Sequence, residues 1–445
     1  MLRWHLTLLL GIGAAAALWL TPEPGRSVAP LPFLSFKAPG DLEIALALDH
    51  GALLAGSGER RELVVTVRAP EARGARVPVD VALVVDVSGS MGRQGKIAQA
   101  RAAAHALVDA LEPGDRFALV AFEDYARVLA HGAPVGDRDR LHAMVEGLTD
   151  EGGTNLYAGM RAGLDELDGT WAASKVLVVS DGNANVGVTE PTGFYELARR
   201  AAAEGATVST IGLGTDFNEV LVEGVADAGG GSYTFVGYAD ALPGVIASEL
   251  AATTELVARR ATVHVDVPEG VHVHQVYGWD AEVSSGGADV YIGDLSAGQE
   301  RTIVLQVSIP DQTLGTVPVA TATLDYTSLD GATHADTEHL DAIVSDRIGT
   351  VERSVDTEAA TIAARARASV HLRRSAEAAR DGDVSTARAR MADARDVVLA
   401  AAAQLQVPEL AQSVVDLEAL EELGAREGNA YAAKAASEAS RDWSR

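Results

Sequence analysis

The 445-residue chain contains no cysteine at all. That excludes disulfides, thiol catalysis and thiolate metal sites, so stability must come from packed cores or bound metal. Basic residues are also scarce: 36 Lys and Arg stand against 63 Asp and Glu, a net charge of −27. Nucleic acid and anionic lipid repel such a surface and are excluded as main partners, whereas cations are attracted. Aromatic residues make up only 5%, yet 47% of residues are apolar, many of them alanine. The composition is globular, and the length suffices for two to four domains with real cores. The chain also lacks GxxxxGK[ST], HExxH and GxSxG. Without a phosphate cradle, a metal-bound base or a nucleophile elbow, it reads as a non-enzyme.

Long hydrophobic runs are absent except near the start. Arg3 precedes a mostly apolar run from Leu6 to Leu20, followed by TPEPG. This is the layout of a signal peptide. Leu18, Trp19 and Leu20 are bulky where a cleavage site wants small residues. Counted from Leu2 or Trp4, the run approaches the length of an uncleaved anchor. Residues 1–24 are therefore expected to be a signal peptide or an N-terminal membrane anchor, and 25–40, with Pro30, Pro32 and Pro39, a linker. The expected location is exported: periplasm, cell envelope or secreted.

What is present is more specific. DVSGSMG runs from Asp86 to Gly92, directly after the apolar run Val79 to Val85. That run reads as a buried parallel strand. An Asp and two Ser at alternate loop positions, Asp86, Ser88 and Ser90, can turn three oxygens toward one point, as hard divalent cations require. Two further stretches suit the same site. GGTNL places Thr154 on a glycine-rich loop, and SDGNAN places Asp181 just past the apolar strand Val176 to Ser180. In open α/β sheets, ligands bind beyond the carboxyl ends of the strands. Gly89, Gly152 and Gly153 either let the loop backbones approach an ion or are ordinary turn glycines.

Together, DxSxS, GGTN and SDG resemble the von Willebrand factor type A (VWA) family and its metal-ion-dependent adhesion site. The resemblance covers about 76–252. It implies a Rossmann-like fold with Asp86, Ser88, Ser90, Thr154 and Asp181 as metal residues. The two Ser and the Thr would bind directly, and the Asp pair partly through water. The partner would be a protein offering an Asp or Glu carboxylate to the remaining vertex. The oxygen donors and the lack of soft ligands favour Mg²⁺, with Ca²⁺ or Mn²⁺ as alternatives. The expected function is an extracytoplasmic, metal-dependent adhesion or scaffold protein. One rival is a non-enzymatic accessory subunit of an AAA-type ATPase or chelatase-like complex, against which export argues, since those ATPases are cytoplasmic. Another is an envelope component whose metal is purely structural.

The expected architecture is multidomain: α/β, then all-β, then α. Strands and helices alternate from 79 to 250, beginning with a helix Lys96 to Leu111 that puts Ile97, Ala100, Ala104, Leu107, Val108 and Leu111 on one face. Helices are read at 138–147, 156–168, 193–204, 217–228 and 239–251, and strands at 116–122, 175–180, 207–213 and 232–236. Residues 256–346 read as an antiparallel β-sandwich. A strand pair within 41–75 completes it, so that the Rossmann-like domain (76–252) is inserted in or precedes the sandwich. Residues 350–445 are helical: a hairpin with Ser385 as N-cap, one more helix at 409–423, and a polar tail that frays beyond Gly424.

Some charged groups are open to two readings. His264, His272 and His274 either hold a transition metal or form a solvated strand face. Glu123 and Asp124 either add charge near the metal or lie on a solvated loop. Arg365, Arg367, Arg373 and Arg374 form a wet helix face or a partner groove. Asp137 and Asp139 read as an N-terminal charge pair of a helix.

Overall fold

The computed structural model describes residues 42–71, 76–171, 173–311 and 313–445. The leader read at 1–24 and the linker read at 25–40 lie outside the described residues. Among the described residues no helix is long and apolar enough to cross a membrane.

Three strands come first: β1 (Glu43–Leu48), β2 (Ala52–Leu54) and β3 (Arg60–Arg68). β4 (Val79–Asp86) follows and is buried at every position. A strand buried on both faces must lie inside a sheet covered by helices. That sheet also contains β5 (Arg116–Phe122), β6 (Ala126–Pro134), β7 (Ala173–Ser180), β8 (Ala206–Leu213) and β9 (Gly230–Val236), in the order β6-β5-β4-β7-β8-β9. All neighbours are parallel except the β5–β6 pair. β6 escapes the sequence reading, because it is an edge strand that is only partly buried and ends in a proline.

Alternate β4 residues face opposite helix layers. Val79, Val81, Leu83 and Val85 join one apolar core with α1 (Lys96–Ala110) and α2 (Arg138–Val145). Ala82 and Val84 face the other core, to which α3 (Leu156–Asp165), α4 (Pro191–Glu204) and α5 (Glu219–Ala228) contribute. α6 (Leu242–Thr254) returns to the first layer through Ile246 and Leu250. Before it, Ala239–Ala241 form a single 3₁₀ turn rather than the helix start read there, with Pro243 setting the first turn of α6. α3 lies close on the sheet because it carries glycine where it crosses. A Cβ on Gly163 would stand 2.4 Å from Val84 Cγ2, and one on Gly159 would stand 2.6 Å from the Phe122 ring. Asp137 caps α2 by accepting from the Arg140 amide at 3.1 Å.

After α6 the chain forms strands only: β10 (Leu256–Asp266), β11 (His272–Tyr277), β12 (Ala281–Ser284), β13 (Gly287–Ser296), β14 (Glu300–Ser308), β15 (Gly315–Ser328) and β16 (Thr333–Ser345). With the first three they build two sheets, β1-β3-β14-β11 and β12-β13-β10-β15-β16-β2. Val65, Val67, Ile303 and Leu305 of one share an apolar core with Val263, Val265, Val290 and Leu324 of the other. β3 pairs directly with β14, Val65 opposite Ile303, so the α/β segment leaves and re-enters this two-sheet body. The strand pair expected within 41–75 is in fact three strands. The third, β2, is too short to show a period and pairs in parallel with β16 in the other sheet.

Five helices close the chain: α7 (Ile348–Glu352), α8 (Thr357–Arg380), α9 (Val384–Leu405), α10 (Pro408–Glu427) and α11 (Asn429–Asp442). α8 and α9 pack through Ala364, Ala368, Leu372, Met391, Ala394 and Val398. The N-cap of α9 is Asp383 rather than Ser385, since its carboxylate accepts from the Thr386 amide at 3.0 Å. The segment expected to fray beyond Gly424 is instead the end of α10 and the whole of α11. Its alanines and serines conceal a buried face: Ala433, Ala436 and Trp443 are in the core, and Ser440 Oγ donates to the Ser369 carbonyl. α11 ties the layers together. Lys434 Nζ donates to the Phe217 carbonyl at 3.1 Å, and the Arg445 carbonyl accepts from the Thr302 amide at 2.7 Å.

Candidate metal centre

β4 and β7 are parallel neighbours, so their carboxyl ends share one edge of the sheet. Asp86 ends β4, and Ser180 ends β7 with Asp181 next in the chain. Three loops meet there. Gly89 N donates to the Gly152 carbonyl at 3.2 Å, and Glu151 N to the Val87 carbonyl at 2.7 Å. Thr154 N donates to Asn185 Oδ1 at 2.9 Å, and Asn185 N returns to the Thr154 carbonyl at 3.1 Å. The loops are thereby held as one unit.

The side chains converge within this frame. Asp86 and Asp181 are fully buried. Asp86 Oδ1 accepts from the Ser88 amide at 2.8 Å and Oδ2 from Ser180 Oγ at 2.6 Å. Ser88 Oγ and Ser90 Oγ are 3.0 Å apart, and Ser90 Oγ donates to Asp181 Oδ1 at 2.7 Å. Thr154 is buried, and among the described residues its hydroxyl has no hydrogen-bond partner. A Cβ at Gly182 would stand 3.1 Å from Thr154 Oγ1 and 3.8 Å from Asp86 Oδ2, so glycine keeps the space between them open. All five residues read from the sequence are thus brought to one place.

Four residues at the site were not read from the sequence. Ser180 and Gly182 flank Asp181, and Asn185 fixes the Thr154 loop. The fourth matters most. Lys96, at the start of α1, is buried, and its Nζ lies 2.6 Å from Asp181 Oδ2. The ammonium pairs with Asp181, while Asp86 is held by hydrogen bonds from Ser88 and Ser180. Burial pushes the Asp86 carboxyl up to about 6, against hydrogen bonds from Ser180 and Ser88 that favour its charged form.

Gly152 and Gly153 prove to be contact positions. A Cβ at Gly152 would lie 2.7 Å from Glu123 Oε2, and one at Gly153 2.7 Å from Asp124 Oδ1. Gly152 also has φ of 73°, a conformation that suits glycine. Gly89 is exposed and meets Gly152 across the loops. Glu123 is buried rather than solvated, while exposed Asp124 accepts from the Gly153 amide at 3.0 Å. The acidic pair thus props the Thr154 loop.

The histidines do not form a cluster. His264 lies on β10 and pairs with Asp289 at 2.7 Å, whereas His272 and His274 lie exposed on β11 in the other sheet. Among the described residues no group of three or more His, Cys, Asp or Glu could hold a metal ion. The oxygen set at the sheet edge, with two acids and three hydroxyls, falls outside that description. Of the four α8 arginines read as a wet face or a partner groove, Arg367, Arg373 and Arg374 are exposed, but Arg365 lies 5.5 Å over the Trp443 ring.

A helix-covered parallel sheet with an oxygen-lined loop cluster at its carboxyl edge defines a Rossmann-like domain with a ligand edge. Residues 81–183 match the family model described as von Willebrand factor type A domain, and the chain carries such a domain. Two solved structures are similar in fold over most of the chain. One, described as von Willebrand factor type A from Catenulispora acidiphila, has a TM-score of 0.68 at 18% identity and covers 86% of this chain and 91% of that one. The other, the ArnB paralog VWA2 from Sulfolobus acidocaldarius, has a TM-score of 0.60 at 17% identity and covers 91% of this chain and 99% of that one. In sequence, the uncharacterized protein YfbK of Escherichia coli is 23% identical over 285 residues, 62% of this chain. The match spans 50% of that relative's length.

Proposed function

We propose that this protein is a metal-dependent binding protein whose VWA domain takes an Asp or Glu carboxylate of a protein partner through a divalent cation. The observation that carries the reading is the sheet-edge cluster. Buried Asp86 and Asp181, Ser88 and Ser90 lie in one hydrogen-bonded network, with the unpartnered hydroxyl of Thr154 beside them. Donors that are all oxygen suit Mg²⁺, Ca²⁺ or Mn²⁺ and give no purchase to soft metals. Ser88, Ser90 and Thr154 would hold the ion with neutral oxygens, and Asp86 and Asp181 would supply negative charge. With few charged ligands, the bound cation would stay electrophilic toward an outside carboxylate. The reading assigns no catalytic step to this site.

The two-sheet body and the helices after it would carry this edge and orient it. On the strength of the apolar run Leu6 to Leu20 behind Arg3, the reading also puts the protein outside the cytoplasm. The test is panning of a random peptide library on the immobilised full chain with Mg²⁺, followed by elution with a chelator. The proposal expects enrichment of peptides with Asp or Glu at a fixed position, and its loss in Thr154→Ala at unchanged melting temperature. Chelator-insensitive binding, or no enrichment of acidic residues, would sink it.

A further inference from the structure

Away from the sheet edge, a cleft of about 1,010 Å³ opens where β9, the two-sheet body and α11 meet. Its size is at the upper end for small-molecule sites. Five arginines line it, and three of them stand together: Arg301 of β14, Arg441 of α11 and Arg445. Two of them are committed. Arg441 Nη2 and Arg445 Nη1 both donate to Asp227 Oδ1, at 2.5 and 2.8 Å, and Arg445 Nε donates to the Gly278 carbonyl. Their planes also lie over Tyr233 and Trp279.

Arg301 has no such partner. Its Nε is buried without a hydrogen bond, and among the described residues no carboxylate pairs with it. Two acids near it are engaged elsewhere. Glu249 is held by Lys175 at 3.0 Å, and Glu300 turns to Arg68 at 2.6 Å. A cation left unpaired beside two others is costly. It is all the more telling in a chain with 63 acidic residues and only 36 basic ones. The hydroxyl of Tyr291, on the same cleft, also has no hydrogen-bond partner among the described residues. Burial and the nearby Asp294 raise its pKa, so it stays a protonated donor. A guanidinium and a hydroxyl facing one cleft are the donors that an oxyanion accepts from.

We propose that this cleft binds a small organic molecule bearing one carboxylate or one phosphate, with Arg301 as its anchor. Asp280, Glu282 and Asp442 on the same walls repel a polyanion, which sets nucleic acid strands aside. The site is independent of the metal reading, since no residue of the sheet-edge cluster takes part.

The test uses the full chain in chloride buffer at constant ionic strength. Thermal unfolding is followed while inorganic phosphate or acetate replaces chloride, in wild type, Arg301→Met and Arg200→Gln, a charge-matched control on the exposed face of α4. The proposal expects a saturable rise in melting temperature in wild type and in the control, with apparent affinity at least about ten-fold weaker in Arg301→Met. Whichever of phosphate and acetate gives the rise tells the two ligand sources apart. It also expects Arg301→Met to melt no lower than wild type in chloride alone, because an unpaired cation has been removed. The absence of a saturable rise with either probe, or a rise undiminished in Arg301→Met, would overturn the proposal. So would a marked loss of stability of Arg301→Met in chloride, which would make Arg301 a structural residue.

Discussion

Replacing Lys96 by methionine separates the metal account from a merely structural one. Lys96 Nζ is 2.6 Å from Asp181 Oδ2, and neither side chain has appreciable exposure, at 7% and 0%. Removing one partner of a buried pair leaves the other charge uncompensated, at about 3–5 kcal/mol. For a unit of this size, 1 kcal/mol moves the melting temperature by roughly 2–4 °C, so the variant should melt roughly 6–20 °C lower in chelator. A divalent cation beside Asp181 restores the missing charge, and the deficit should shrink to about 1 kcal/mol, the packing loss of a volume-conserving exchange. By linkage, the remaining 2–4 kcal/mol must appear as tighter metal binding, by roughly 30- to 700-fold. Thermal unfolding with and without Mg²⁺, together with calorimetric titration, measures both quantities. An equal drop in melting temperature with and without the ion, at unchanged metal affinity, would refute the reasoning.

Two further predictions concern the scaffold. Gly163→Ala places a methyl carbon 2.4 Å from Val84 Cγ2 and should cost about 1–3 kcal/mol in denaturant unfolding, with metal affinity unchanged. A variant as stable as wild type would mean that α3 is not fixed against the sheet. Burial raises the Glu438 carboxyl from the ordinary 4.5 to about 7, with Asp442 and Glu219 adding to the rise and the Phe235 amide and Arg441 opposing it. A raised carboxyl contributes stability that is fully present below the unfolded value and is lost as pH climbs through the folded one. Glu438→Gln should therefore gain on wild type between about pH 4.5 and 7, by at most about 3 kcal/mol. A difference that stays flat over that window would contradict the assignment.

The sheet and its ligand edge were legible because their signals are local. Val81 to Val85 is a continuous apolar run closed by the acid Asp86, and short polar residues follow it on a loop. The same pattern recurs at Val176 to Asp181. Lys96 was not legible for the opposite reason. As the first residue of a helix it resembles any solvated lysine, and its partner lies 85 positions away. β6 and β2 were missed because one is half-exposed and the other has three residues, too few for a period to show. α11 was missed because its buried face is built from Ala433, Ala436, Ser437 and Ser440, small residues that read as a polar tail. Its fixed position depends on distant groups: the Phe217 carbonyl, the Asp227 carboxylate and the Thr302 amide. At the start of α9, Asp383 and Ser385 are both competent caps, and only geometry chooses Asp383, whose carboxylate also receives the Ser385 and Thr386 hydroxyls.

The measurement that bears most directly on the central claim is calorimetric titration of residues 40–445 with Mg²⁺ and Ca²⁺, beside Asp86→Ala. The account predicts one saturable site in the intact protein that vanishes in the variant, with the fold of the variant confirmed by its far-ultraviolet spectrum. Equal binding by both proteins, or no binding by the intact one even with acetate present to complete the coordination, would contradict it.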